Sequence, residues 1–208
     1  MQQRDAGRVP DKVWALDRAV TAVAFGGDDS AIVGVVAREV VRQREIREML
    51  WTGRYAEVAH RTALVTLERV AGRQLEVAER VGALLARPEF AKRGARLLVD
   101  VSRVGTAVLG AFRERGLYPW AAAIGVDLGD ATTRVPWGEI VGVLRTEMQA
   151  HRFRVAPGLA LAGPFRTRLI RELKLAIDAT TAGPPDPILM AGGLPLWSIT
   201  THTRFIVA

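Results

Sequence analysis

The sequence predicts an α/β fold in a single domain, with a mixed sheet flanked by helices. Apolar and β-branched runs at 20–25, 31–41 and 61–70 are typical of three successive strands. A helix with one apolar face follows at 74–87, after which strands and helices alternate. Three antiparallel strands followed by parallel crossovers through helices account for this order of elements.

The first two runs form a predicted hairpin. Their connection at 26–30 contains Gly and Asp, which permit the backbone conformations of a tight turn. The charged stretch 42–53 fits either a helix or a loop. Residues 1–11 are polar, and we expect them to form a loose lead-in.

The stretch RLLVDVSRVG at 96–105 organises the prediction for the rest of the chain. It has the pattern of a buried strand that ends on Asp100 and feeds into a helix at 104–115, which Gly116 ends. Ligands and metals gather at the C-terminal ends of strands in open α/β sheets, and a carboxylate there can hold Mg²⁺. Alternatively, Asp100 or Ser102 only caps the helix, and both interpretations stay open.

The second half of the chain continues the alternation of strands and helices. We predict a strand, a helix, a short extended piece and another helix, at 117–127, 135–152, 153–156 and 161–178. After that, Gly192, Gly193 and Pro195 interrupt a start that is typical of a helix, and the end favours a strand. We therefore expect 188–208 to be a divergent C-terminal tail of one domain spanning 1–208.

The charge of the chain favours a polyanionic partner. Its 208 residues carry a formal net charge of +7, which favours nucleic acid above all. All but three of the 29 basic residues are arginine, a bias that a GC-rich genome also produces. The absence of cysteine excludes disulfides and cysteine-based zinc sites. A polar N-terminus and the lack of a long apolar run predict a cytoplasmic protein with no membrane partner.

Motifs of several enzyme classes are missing from the sequence. There is no G-x-x-x-x-G-K-[ST] phosphate-binding loop, so the chain carries no ATPase motor of that type. There is no G-x-S-x-G nucleophile elbow, and the three histidines are scattered without the spacing of metal ligands. We expect Trp120 and Trp137 to be packing residues rather than platforms on which bases stack.

The predicted order of strands and helices is that of a ribonuclease H-like fold. Over roughly residues 20–195, the chain resembles the C-terminal nuclease domain of phage terminase large subunits. Four stretches carry the resemblance through their order and spacing: ERVAGRQLEVAERVGALLARP, RLLVDVSRVGTAVLGAFRERGLYP, VPWGEIVGVLRTEMQAHRFRVAPGL and FRTRLIRELKLA.

This resemblance implies a metal-dependent endonuclease that cuts double-stranded viral DNA. The family uses a cluster of about three acids that holds two divalent metals, here Mg²⁺ or Mn²⁺. Two such ions about 4 Å apart activate a water molecule and stabilise the leaving oxygen of a phosphodiester. The acids must come from adjacent strands, and this topology places the first strand beside the strand that ends on Asp100.

The second and third acidic motifs of the family can be matched to this chain. Asp100 stands at the position of the strand-end acid of the second motif, although Arg103 replaces the usual glycine of the turn. In the third motif Asp186 is retained, whereas Pro185 and Pro187 replace the histidine and the second acid. The resemblance therefore implies that Asp100 and Asp186 are catalytic metal ligands.

The first acidic motif is degraded. Counting back without gaps from DDSA at 28–31 places the first acid's position on Ala22. Asp28 matches the outer acid of the turn, which is not normally a metal ligand, and we include it as a candidate metal ligand. The acid cluster is thus expected to be partly lost.

Three hypotheses about function follow from this pattern. The first is a terminase-like endonuclease that acts on double-stranded DNA, with cleavage impaired by any loss from the acid cluster. The second is an inactive module that keeps the nuclease fold and binds DNA, a separate terminase ATPase or a portal protein. The third is a prophage remnant without function. In each case we expect the protein to be located in the cytoplasm of a phage-infected or prophage-bearing bacterial cell.

Overall fold

A computed structural model describes residues 12–26, 29–48, 51–129, 132–156 and 187–203 of the chain. These residues form a mixed sheet of seven strands flanked by helices. The strands are β1 (Lys12–Phe25), β2 (Asp29–Glu48), β3 (Trp51–Ala71), β4 (Arg96–Asp100), β5 (Trp120–Ile124), β6 (Thr133–Val135) and β7 (Phe153–Val155). The predicted lead-in at 1–11 lies outside the described ranges.

The strand order in the sheet is β6-β5-β4-β1-β2-β3-β7. The strands β1, β2 and β3 are antiparallel neighbours, whereas β4 is parallel to β1, and β5 and β6 continue the parallel half. The prediction of three antiparallel strands followed by parallel crossovers is therefore confirmed. The expectation that the first strand lies beside the strand ending on Asp100 is also confirmed.

The β2–β3 hairpin is longer than the sequence predicts. Its pairing runs from Asp29–Ala71 to Glu48–Trp51, with a register shift between Gly34 and Val35. The stretch 42–53, which fits a helix or a loop by its charge, therefore lies largely in strands. Pairing between strands, which sequence periodicity does not reveal, decides this conformation.

Five α-helices and one 3₁₀ turn are described. They are α1 (Gln74–Leu85), α2 (Pro88–Ala91), a 3₁₀ turn (Thr106–Val108), α3 (Leu109–Glu114), α4 (Trp137–Gln149) and α5 (Pro187–Thr203). The predicted helix at 161–178 lies outside the described ranges. The short strand β6, which precedes α4, is not among the predicted elements, because three residues are too few to give a periodic signal.

The helix α5 corrects the prediction for the C-terminal tail. It continues through Gly192, Gly193 and Pro195, so these residues do not end the helix. Most of α5 is buried, because it packs on β1, β2 and α4. Burial of an apolar helix on all sides offsets the low helix propensity of two glycines and one proline.

The core lies on both faces of the sheet. The helices α4 and α5 cover one face, where Ile140 and Leu194 pack with Ala24 and Leu98 of the central strands. The helices α1 and α3 cover the other face with side chains that include Val77, Val81, Leu109 and Phe112. The sheet is therefore the middle layer of three, and its central strands are buried on both faces.

Candidate functional site

The candidate site is the edge of the sheet at which β1, β4 and β5 end. Asp100 is the last residue of β4 and pairs in register with Ala24 of β1 and Ala122 of β5. Alternation along β4 places Asp100 on the same face as Leu98, the face that α4 and α5 cover. The nearest positions on both neighbouring strands are thus occupied by alanine.

Hydrogen bonds hold one oxygen of the Asp100 carboxylate. The backbone N–H of Ser102 donates to Asp100 Oδ1 over 3.0 Å, and the Ser102 hydroxyl donates to the same oxygen. The Ser102 hydroxyl oxygen also accepts a 2.6 Å hydrogen bond from the backbone N–H of Ile124. Ser102 therefore ties the end of β4 to the end of β5. Asp100 and Ser102 make no side-chain cap on the following helix, and so the capping interpretation is wrong.

The second oxygen of Asp100 has a different environment. Oδ2 is buried and has no hydrogen-bond partner within the part of the chain that the structure describes. Asp100 as a whole is only 1% exposed. Burial raises the pKa of the Asp100 carboxyl above its ordinary value, and the two Ser102 hydrogen bonds and the Arg103 charge oppose this shift. Such an oxygen is able to accept a proton or contact a cation.

The chain leaves the site through a turn that requires glycine. The N–H of Gly105 donates a 2.8 Å hydrogen bond to the carbonyl of Val101, which closes the turn after β4. Gly105 has φ 73° and ψ 175°, a region that residues with a Cβ rarely adopt. This turn sets the direction in which the 3₁₀ turn and α3 leave the site.

The strand register shows which residue of β1 lies beside Asp100. Ala22 lies opposite Leu98, whereas Ala24 lies opposite Asp100. The residue adjacent to Asp100 on the first strand is therefore Ala24 and not Ala22. Both alanines are completely buried, and neither brings a polar group to the carboxylate.

The other two predicted site residues, Asp28 and Asp186, lie outside the described ranges. The residue that follows Asp186 in sequence, Pro187, begins α5. Its Cγ is 3.0 Å from the point where a Cβ on Gly26 would stand, at the end of β1. The helix α5 thus begins at the same edge of the sheet as the carboxylate of Asp100.

The part of the chain that the structure describes contains no group of three or more His, Cys, Asp or Glu side chains able to hold a metal. Asp100 fits a hard cation through its unpartnered Oδ2, but its in-register neighbours Ala24 and Ala122 supply no oxygen ligand. Within the described ranges, the one carboxylate at this position is fewer than two divalent ions need.

A cavity of about 630 Å³ lies beside this edge on the α1 and α3 side of the sheet. Its walls include Gly26, Ser30, Arg73, Val104 and Glu114. Asp100 does not line it. The cavity is therefore separate from the carboxylate, although both lie near the end of β1.

Sequence reasoning missed two features of this region. The first is the hydroxyl of Ser102, which links β4 to β5. The turn sequence S-R-V-G does not reveal this link, because the pairing of β4 with β5 is not known from the sequence. Trp120 is 51% exposed and belongs to neither core cluster, so the expectation that it is a packing residue is wrong. Trp137 is partly buried and packs against the core, as expected.

Comparisons of the whole chain with protein-family models, curated proteins and solved structures found no match. None of the helices described is both long and apolar enough to cross a membrane.

Proposed function

We propose that this chain is a ribonuclease H-like module, similar to the nuclease domain of terminase large subunits, that binds double-stranded DNA without a complete two-metal site. One observation carries the proposal: the residue opposite Asp100 on β1 is Ala24. Adjacent strands lie about 4.8 Å apart, so an acid at that position would share a metal with Asp100. The strand order, which matches the predicted topology, and the net charge of +7 support the fold and the DNA partner.

The test of incompleteness is to restore the acid. We expect Ala24→Asp to gain affinity for Mg²⁺ or Mn²⁺, seen as an increase in melting temperature on adding the ion. Ala22→Asp is the matched control, because it buries the same carboxylate on the same strand opposite Leu98 instead of Asp100. Both variants lose stability without metal, since each buries a charge. Equal metal responses of the two variants would contradict the proposal.

A second candidate function is metal-dependent cleavage by the natural chain. The unpartnered Oδ2 of Asp100 favours it, because this atom is able to contact a cation. In that case Asp100 and Asp186, with Asp28 as a further candidate, would hold Mg²⁺ or Mn²⁺, and the ions would activate the attacking water. Asp186 follows as a candidate because the next residue, Pro187, begins α5 beside Gly26.

Nicking of supercoiled plasmid in Mn²⁺ separates the two functions. The proposed binding module leaves the plasmid intact while it retards a duplex oligonucleotide. Nicking that is lost in Asp100→Asn would establish the cleavage function, because asparagine keeps an oxygen for the two Ser102 hydrogen bonds but loses the charge. Duplex binding by the Asn variant serves as the control for folding.

A further inference from the structure

An aromatic and cationic patch lies where β4 and β5 begin, at the opposite end of these strands from Asp100. Trp120, the first residue of β5, is 51% exposed, and Tyr118 just before it is 79% exposed. The Cζ of Arg96, the first residue of β4, lies 5.3 Å from the centre of the Trp120 ring, which is a cation–π contact. We name Arg96, Tyr118 and Trp120 the aromatic patch.

The aromatic patch is separate from the candidate site. The strand β4 runs from Arg96 to Asp100, so its two ends are about 13 Å apart at 3.3 Å per residue. Arg96 pairs with Val20, and β1 begins eight positions earlier at Lys12. The strand β1 therefore extends beyond the start of β4, and its first residues lie beyond the patch.

The spacing of the two aromatic residues suits consecutive bases. Pro119 favours an extended backbone at Tyr118, and an extended chain projects alternate residues to the same side. Sheet-based proteins that bind single strands stack bases on aromatic side chains of this kind, and neighbouring cations contact the phosphates. Arg96 supplies such a cation beside Trp120.

The composition of the aromatic patch favours nucleic acid over an apolar protein partner. Among the described residues, the other exposed large apolar side chains are Val126 and Leu128, which follow the far end of β5. The patch is therefore not part of a wide apolar surface of the kind that protein partners bury. The net charge of +7 attracts a polyanion to it.

We infer that the aromatic patch binds unpaired nucleobases of single-stranded nucleic acid, by stacking on Trp120 and Tyr118 beside Arg96. This surface goes beyond the proposed duplex binding and does not involve Asp100. It gives the module a place for an unpaired strand at a distance from the carboxylate.

The test measures binding of a 20-nucleotide oligo-dT, an oligo-U of the same length and a duplex by fluorescence anisotropy. We expect Trp120→Ala to weaken oligo-dT binding about 5- to 100-fold, while Trp120→Phe keeps most of it. We expect Arg96→Ala to weaken oligo-dT binding more than Arg113→Ala does. Arg113→Ala is the control, because it removes an exposed arginine from α3 on the other side of the sheet. The ratio of oligo-dT to oligo-U affinity shows whether DNA or RNA is preferred.

Quenching of intrinsic fluorescence gives a signature of stacking. We expect oligo-dT to quench the natural chain and to quench Trp120→Phe much less, although four other tryptophans remain. Absence of single-strand binding, or identical affinities of the natural chain and Trp120→Ala, overturns the inference. Loss of duplex binding alone counts against the proposed function instead, because the aromatic patch is tested on unpaired strands.

Discussion

At the level of single residues, the two oxygens of Asp100 have unequal surroundings. Ser102 fills Oδ1 with two hydrogen bonds, whereas Oδ2 is buried without a partner in the described structure. Ionising a buried carboxyl costs free energy when one of its two oxygens has no hydrogen-bond partner. In the described structure, the in-register neighbours of Asp100, Ala24 and Ala122, supply no polar group that would offset this cost.

The first prediction at this scale concerns pH. Burial raises the pKa of Asp100 in the folded state, so the native protein binds the proton more tightly than the unfolded chain. Stability contributed by this group is therefore present below the unfolded pKa of about 3.9 and is lost as pH rises through the folded pKa. Asp100→Asn cannot ionise, so we expect its stability relative to the natural chain to increase with pH across that window.

Urea denaturation of the two proteins from acid to neutral pH measures this difference. The Asn variant keeps an acceptor for Ser102, so the comparison isolates the ionisation of one carboxyl. A difference that stays constant with pH would show that Asp100 titrates alike in the folded and unfolded states.

Ser102→Ala tests the link between β4 and β5. We expect this variant to lose about 1–3 kcal/mol of unfolding free energy, because the Ile124 N–H loses its acceptor.

At the level of elements, α5 explains how a segment rich in helix breakers forms a buried helix. Gly193 stands where α5 crosses α4, and a Cβ there would collide with Ile140 Cγ2 and lie 3.1 Å from Leu144 Cδ1. The missing side chain therefore lets the two helices approach closely. Trp197 Nε1 adds a 2.8 Å hydrogen bond to Glu139 of α4.

A matched pair of substitutions tests this packing. We expect Gly193→Ala to destabilise the protein by about 1–3 kcal/mol, because the new methyl overpacks the α4–α5 contact. Gly192→Ala has nothing within 4 Å of the new Cβ and gains about 0.5–1 kcal/mol from better helix propensity. Opposite signs in denaturant unfolding would support the packing role, and equal effects would contradict it.

At the level of the whole molecule, the sheet separates two chemically distinct edges. One edge holds the buried carboxylate of Asp100, and the other carries the aromatic patch beside the long hairpin. The net charge of +7 acts on the molecule as a whole and favours association with a polyanion at either edge. Salt should therefore affect binding more strongly than any single substitution away from these edges.

The prediction at this scale is a steep salt dependence of duplex binding. We expect affinity to fall by at least about tenfold between 50 and 200 mM salt, which corresponds to two or more neutralised phosphates. Anisotropy titrations with a labelled duplex at several salt concentrations give the slope. An affinity that does not change with salt would show that the charge of the chain does not engage the DNA backbone.

The sequence alone determined the order of the elements and the place of Asp100 at the end of a buried strand. Local periodicity and turn residues carry this information, because each element's apolar face repeats within its own short stretch. The fold class follows from this order of elements, whereas the place of the first strand beside β4 was expected from the resemblance to a ribonuclease H-like topology. These features do not depend on knowing which residues lie opposite one another.

Only the tertiary structure decided the features that depend on long-range contacts. The register of β1 against β4 places Ala24 rather than Ala22 beside Asp100, and no local signal fixes a pairing between residues 76 positions apart. Burial on three elements keeps α5 helical through Gly193 and Pro195 against their propensities. The exposure of Trp120 likewise follows from its place at the start of β5 and not from its hydrophobicity.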